Sequence, residues 1–406
     1  MTYNEASALL AEHGQQQLLA YFEELTEKQR EYLLGQIAKI NFTPYHALDL
    51  GGARHIGNLS PVPALSVRET EARREEFEAL GLAAIRQGKA AAVLLAGGQG
   101  TRLGSDGPKG AYNVGITREL SIFACQFNNI KEVTDKAGAY FHIFVMTSEV
   151  NDAATRQFFK DNGYFGYPEE KIHFFVQDMA PSCDADGKIF LEEKWKVACS
   201  PNGNGGWYSS LIKNGEGHIL KEEGIEWLNV YSVDNVLQRI CDPVFIGATI
   251  ESGCGCGAKV VKKASPEEKV GVLCMENGAP NIVEYYEMPP ELAAKRRPDG
   301  ELLLPYGVIL NYLFRVDLLD KTVHEKLPMH LSFKKIPHIE NGVKVFPEQP
   351  NGYKFEMLVL DMIRLMGSCL AVEVVREKEF APVKNKTGTD SVESARELLK
   401  LNGVTL

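Results

Sequence analysis

The sequence has little that would tie it to a membrane, a nucleic acid or a histidine-bound metal. Its 406 residues contain no apolar run approaching the length of a bilayer span. The start, MTYNEASALL, lacks the basic stretch and long apolar core of a secretory leader, which points to a cytoplasmic chain. Positive charge is in deficit: 44 Lys and Arg against 54 Asp and Glu leave a net −10. That is the wrong sign for a nucleic-acid face, although a local basic pocket can still take a small anion. The nine histidines show no HExxH and no repeated spacing. Of the eight cysteines only Cys254 and Cys256 are close, and no second pair completes a zinc spacing. Several cysteines sit in apolar runs, as Cys274 does in VGVLCM, where a free thiol acts as a small hydrophobe. Reduced, structural thiols in a reducing compartment follow. There is no internal repeat and no low-complexity tract.

What is present is an alternation of helical and β-rich segments. Apolar residues at helical spacing (Leu9, Leu10, Leu18, Leu19, Phe22, Leu25, Leu33, Leu34, Ile37) predict two or three amphipathic helices in residues 1–42. Residues 43–67 are rich in Pro and Gly and read as an extended linker, and a charged helix follows over 69–87. Strands are expected at 91–95, 140–146, 172–176, 227–233, 259–262, 270–275, 282–286, 308–314 and 370–375. Helices are expected at 121–135, 150–162, 207–223, 243–252 and 354–367. The alternation predicts a doubly wound α/β sheet. Segments after Gly257 are more closely spaced and read as an antiparallel insertion at its edge. Ligands of such sheets bind outside the carboxyl ends of the strands.

The most informative stretch is AAAVLLAGGQGTRLGSDGPKGAYNVG, residues 90–115. A buried-strand run ends in a break carrying Gly97, Gly98, Gly100 and Gly104, with Arg102 inside it and Lys109 just beyond. Glycines let backbone approach a ligand, and successive N–H groups in such a turn make an anion-binding concavity. A Walker A loop is excluded, because Ser105 follows Gly104 and Gly110 follows Lys109. The dinucleotide fingerprint fails as well, with Leu103 where its third glycine belongs. Two cations beside the loop suit a reaction that moves phosphate charge; an ordinary βα turn with a charged surface is the alternative.

Other segments can complete a site. PNGNGGWY, residues 201–208, is a second glycine-rich break that can hold a base and a sugar through its N–H groups and Asn204, or simply cap a helix. Gln177 ends the strand HFFVQ, where its amide can read a base edge or face solvent. Asp234 stands where an apolar strand stops, placed to hold a divalent cation or to cap a following helix. Glu284 and Tyr285 can pair hydroxyls and cover a sugar face, or be sheet surface. Lys384 follows a Pro-fixed turn, and a lone Lys there is ordinarily solvated surface.

Taken together, LLAGGQGTRLGSDGPKG, FFVQDMAP, PNGNGGWY, VYSVDNV, GAKVV, VGVLC, VEYYE, KKIPH, QPNGYKFE and EFAPVKN resemble, in order and spacing, the UDP-N-acetylhexosamine pyrophosphorylases. These are a branch of the eukaryotic UDP-sugar pyrophosphorylases, and the likeness covers residues 85–386. The resemblance implies a Rossmann-like mixed α/β sheet of the nucleotide-diphospho-sugar transferase type, with an N-terminal helical appendage and a β-rich insertion. The expected division is 1–85 for the helical region and linker, 86–385 for the nucleotidyltransferase core and 386–406 for a short helical tail. The implied reaction joins UTP and N-acetylglucosamine 1-phosphate into UDP-N-acetylglucosamine, with pyrophosphate released and Mg²⁺ required. By the same resemblance Leu95, Ala96, Gly97 and Gly98 meet the uridine, and Gln177 with Gly203 reads the uracil. Arg102 faces the leaving pyrophosphate, Lys109 the α-phosphate, and Asp234 holds Mg²⁺. Asn204, Gly271, Glu284 and Tyr285 line the sugar, while Lys384 neutralises its 1-phosphate.

Two positions depart from the family pattern. Val308 replaces an Asn of the sugar pocket, so that contact is either missing or replaced, Asn311 being one candidate, and Tyr286 replaces a small residue. Glucose 1-phosphate, or several sugar phosphates, is therefore an alternative substrate. A non-catalytic nucleotide-sugar sensor is the alternative of another class, against which stand the leaving-group cations Arg102 and Lys109. A nicotinamide oxidoreductase is a remote third. By the resemblance, the residues between Lys384 and Leu406 are expected to hold little of the family's small C-terminal domain.

Overall fold

The computed structural model describes residues 1–46, 48, 56–323 and 327–406. Part of the expected linker, 47 and 49–55, lies outside them. The chain forms two compact units, one of Met1–His55, Asp178–Gly206 and Leu327–Leu358, the other of Ile56–Gln177, Trp207–Lys326 and Val359–Leu406.

The second unit is built on an eleven-stranded sheet. Its strands are β1 (Leu59–Ser60), β2 (Ala64–Leu65), β3 (Ala90–Leu95), β4 (Ile143–Thr147), β5 (Ile172–Val176) and β6 (Trp227–Ser232). They continue with β7 (Cys256–Lys262), β8 (Val272–Glu276), β9 (Ala279–Val283), β10 (Tyr306–Arg315) and β11 (Cys369–Glu373). The order across the sheet is β2-β11-β7-β10-β6-β3-β4-β5, with β1, β8 and β9 off this path. The half containing β6, β3, β4 and β5 is parallel, and so are β7, β11 and β2. Between these halves β10 runs antiparallel to both β6 and β7.

The expectation of an antiparallel insertion at the sheet edge is thus corrected: β7, β10 and β11 belong to the sheet itself. Only the β8–β9 hairpin with β1 branches away, joined to β10 at Val272↔Gly307. Close spacing arises because antiparallel neighbours need no helical crossover, and this shortened the segments without moving them to an edge.

All six residues of β3 are buried, as a strand covered on both faces requires. Helix Ile122–Ala137, N-capped by Ser121, buries Phe123, Phe127 and Ile130, and these join Ile143 and Val145 of β4 in the main core. Pro243–Ser252 is helical as expected and N-capped by Asp242. The helix expected over 207–223 is two, Trp207–Lys213 and Gly217–Glu222, broken where Gly215 takes φ +93°. Register aligns one edge of the sheet: Leu95 pairs with Ser232 and Met146, and Thr147 with Val176. The carboxyl ends of β3, β6, β4 and β5 therefore share one rim.

In the first unit, helix Tyr3–Glu12 starts in a capping box of Thr2 and Glu5. Leu10, Leu18, Phe22, Leu33 and Ile37 pack with Ala180, Cys183, Ile189, Leu191, Val197 and Phe355. The helix expected over 354–367 is corrected. Gly352–Glu356 is a strand paired with His330–Lys334, and only Met362–Leu365 is α-helical. Tyr353 and Phe355 are residues that suit a strand as well as a helix.

Candidate nucleotide site

The rim carries the loop that follows β3. Its first carbonyls are held from beneath by Asn151, fully buried, whose Nδ2 donates to Ala96 O (2.9 Å) and Gly98 O (3.2 Å). The Asn151 Oδ1 in turn accepts from the Ser148 N–H and hydroxyl. The loop folds back on itself through Gly100 N–H to Gly107 O and Lys109 N–H to Gly98 O. Among the described residues, the N–H groups of Gly97, Gly98, Thr101 and Arg102 reach no acceptor. Unused donors along one turn are what an anion-binding concavity needs.

Gln177 follows β5 directly and is buried. A Cβ on Gly97 would lie 2.3 Å from its Nε2, so the glycine is what lets that amide approach the loop. Leu95 and Ala96, the remaining residues expected at the uridine, are buried at the end of the central strand. Gly98 has open space where a side chain would be.

Lys109 and Asp234, 125 positions apart, meet at 2.6 Å, Nζ donating to Oδ1, with side chains 13 % and 30 % exposed. The helix-cap alternative for Asp234 is excluded, because it stands in a turn and the next helix begins at Pro243. That turn is anchored by Asn235, whose Nδ2 donates to Glu379 O at 2.6 Å and whose Oδ1 accepts from Ala381 N–H at 2.9 Å. Glu379 also pairs with the fully buried Lys259 (2.6 Å), which binds Asp242 at 2.8 Å. Burial pushes the Glu379 carboxyl upward. Burial works against Asp242 too, yet Lys259, Arg239 and the Val244 N–H hold it below the usual range.

Val383 N–H donates to Asp234 O, which brings Lys384 beside the same turn. Its Nζ lies 2.9 Å from Asp390 Oδ2, so this lysine is an ion-paired group and not bare surface. Arg102 is exposed on the 3₁₀ turn Thr101–Leu103.

Of the residues expected at the sugar, Gly271 and Glu284 come together beside Val308. A Cβ on Gly271 would lie 3.3 Å from Val308 Cγ2 and 3.8 Å from Glu284 Oε2, and Val308 N–H donates to Gly271 O. Tyr285 is 44 % exposed, its ring 5.3 Å from that of Tyr286. Asn311 does not stand in for Val308. It is fully buried, accepting from Asn229 Nδ2 at 2.7 Å and donating to Arg239 O at 3.1 Å. Leu310, at φ +51° in a bulge between the two positions, interrupts the strand alternation that would relate Asn311 to Val308.

Gly203 and Asn204 belong to the other unit. There Gly203 has φ +87°, and a Cβ on it would lie 2.3 Å from Met357 O. Gly205 N–H donates to that same carbonyl, and Met357 N–H to Asn202 O. Sequence reasoning missed Asn151, Asn235 and Asp390, which support the loop, the turn and Lys384; an Asn before a helix reads only as a cap.

The carboxyl rim of the α/β sheet thus carries a glycine-rich loop with Arg102 on it and the Lys109–Asp234 pair beside it. A family profile described as UTP–glucose-1-phosphate uridylyltransferase matches residues 58–402. Human UDP-N-acetylhexosamine pyrophosphorylase-like protein 1 is 37% identical, over 97% of this chain and 83% of its own. The UDP-N-acetylglucosamine pyrophosphorylase of Saccharomyces cerevisiae is 35% identical, over 97% of this chain and 88% of its own. A crystal structure of the Trypanosoma brucei uridine diphosphate N-acetylglucosamine pyrophosphorylase superposes with a TM-score of 0.83 at 28% identity, over 96% of this chain and 82% of that one. The chain belongs to the UTP–glucose-1-phosphate uridylyltransferase family and is a nucleotidyltransferase.

Proposed function

We propose that the chain transfers a uridylyl group from UTP to N-acetylglucosamine 1-phosphate, releasing pyrophosphate. The observation that carries this reading is the loop 96–109 with its unused N–H donors and the Lys109–Asp234 contact at 2.6 Å. The names of its relatives support the N-acetylglucosamine branch.

In this reading a sugar-phosphate oxygen attacks the α-phosphorus in line and the bond to the β-phosphate breaks. The nucleophile is already an anion, so no side chain need take a proton. Positioning and charge stabilisation do the work. Loop N–H groups and Lys109 orient the α-phosphate, Arg102 faces the leaving pyrophosphate, and Gln177 reads the uracil. Gly271, Glu284 and Tyr285 line the sugar, and Lys384, steadied by Asp390, offsets its phosphate.

Mg²⁺ is the proposed cofactor. Only Asp234 Oδ1 accepts from Lys109, and an ion that takes one or two carboxylates plus substrate phosphate oxygens fits such a site. Asp234 would hold it through its second oxygen, and the bound ion would add positive charge beside the triphosphate. All eight cysteines carry free thiols, and no described helix is long and apolar enough to cross a membrane; a reducing, cytoplasmic setting suits the thiols.

A second reading, glucose 1-phosphate as substrate, is favoured by one observation: Val308 sets a methyl group beside Gly271, where it has no hydrogen bond to offer. Pyrophosphate release across N-acetylglucosamine, N-acetylgalactosamine and glucose 1-phosphates decides. Preference for N-acetylglucosamine 1-phosphate is expected, and a strong preference for glucose 1-phosphate would replace the first reading with the second.

A further inference from the structure

The segment EFAPVKNK carries two lysines, and only Lys384 matches the family motif. The structure separates their roles. Lys384 is held by Asp390, and both Lys384 N–H and Asn385 N–H donate to Asp390 O. Val392 N–H closes the turn onto Asn385 O. This tight turn, fixed at its root by Val383 to Asp234, projects Lys386 onto the phosphate loop. A Cβ added to Gly104 would lie 2.6 Å from Lys386 Nζ and 2.9 Å from its Cε. Gly104 is in the left-handed region, φ +72°, at the far end of the loop from Gly97. Among the described residues Lys386 makes no hydrogen bond and no ion pair, and it is exposed.

The charges around the loop then divide into two sets. Lys109 and Lys384 are each compensated by a carboxylate, Asp234 and Asp390. Arg102 and Lys386 are uncompensated among the described residues. A nucleoside triphosphate carries most of its negative charge on the β- and γ-phosphates, and that half leaves as pyrophosphate. Uncompensated cations attract it without first breaking a native ion pair.

We propose that Lys386 is a contact for the pyrophosphate half of the nucleotide, acting with Arg102 across the Gly104 end of the loop. This rests on the reading of loop 96–109 as the triphosphate site. During transfer the bond from the α-phosphorus to the β-phosphate oxygen breaks, and its electron pair stays on the pyrophosphate. Lys386 offsets that charge as an ammonium throughout, neither giving nor taking a proton.

The test compares Kd for UTP and for UMP by calorimetry, in buffer containing Mg²⁺, for wild type, Lys386→Ala and Lys386→Arg, with melting midpoints recorded for each. A charge-assisted contact is lost in the alanine variant, so UTP affinity is expected to fall at least about tenfold. UMP, which lacks the leaving half, is expected to bind unchanged, and the arginine variant to recover most of the loss. Equal UTP affinity in wild type and Lys386→Ala would overturn the proposal. So would an equal loss for UTP and UMP, which would mean a distorted loop. Wild-type protein that bound no UTP would overturn the reading of the site, and the proposal with it.

Discussion

Replacing Lys259 by Met should unsettle the sheet and the Asp234 turn together. The ammonium is fully buried, 2.8 Å from Asp242 and 2.6 Å from Glu379, so the substitution leaves two buried carboxylates without their cation. Breaking a buried pair from one side costs about 3–5 kcal/mol. A unit of this size has an unfolding entropy of about 0.6 kcal/mol/K, taking ~2.1 cal/mol/K per residue, so the midpoint should drop by roughly 5–8 °C. The pH dependence gives a second readout. Without the ammonium both carboxyls are raised above their unfolded values by burial. The folded variant then binds more protons than its unfolded form, and its stability falls as pH rises through that window. The gap between wild type and variant should therefore widen from about pH 5 to pH 8. Scanning calorimetry across that range is the assay. A gap under about 2 °C, or one indifferent to pH, would refute the claim that this triad supports the sheet.

Two further outcomes follow from the geometry. Gly203→Ala combines a left-handed backbone with a Cβ placed 2.3 Å from Met357 O, so it should cost at least about 2 kcal/mol. Gly98→Ala meets open space and should leave the urea midpoint unchanged. Equal midpoints for the two variants would count against the packing of the second glycine loop. His173 has its pKa pushed down to about 4, first by burial and then by His142 and Lys171. Its folded value lies below the unfolded ~6.5, so stability is complete above that pH and is lost as pH falls towards about 4. His173→Gln should flatten the fall of melting temperature between pH 6.5 and 4.5, and an unaltered slope would show that the burial of His173 is not its cause.

How much of this was legible in the sequence depended on the kind of interaction. The parallel half of the sheet was, because β3, β4, β5 and β6 are apolar runs bounded by glycine or polar breaks. The loop after β3 was legible too, since glycine and cation spacing is local chemistry. The antiparallel strand β10 in the middle of the sheet was not: Tyr306–Arg315 carries no mark of its direction, and only pairing with β6 and β7 sets it. Asn311 was misjudged for a related reason, because the bulge in the β7–β10 register between Ala258 and Val260, where Leu310 takes φ +51°, decides which side chains face inward. The last three residues of the strand Gly352–Glu356 were read as the start of a helix, since its partner His330–Lys334 is nearly twenty positions away and no local signal names it. Lys386 was passed over beside Lys384 because only a folded turn could set one on Asp390 and the other on Gly104.

The central claim is that loop 96–109 with Lys109 and Asp234 carries out uridylyl transfer. Its most direct test is the rate of pyrophosphate release from UTP, N-acetylglucosamine 1-phosphate and Mg²⁺ by wild type, Lys109→Ala and Asp234→Ala. Wild type should turn over, and each variant should lose at least tenfold, about 1.4 kcal/mol of transition-state stabilisation. Near-normal turnover in both variants would contradict the account, as would a wild-type protein that binds UDP-N-acetylglucosamine yet releases no pyrophosphate with any sugar 1-phosphate.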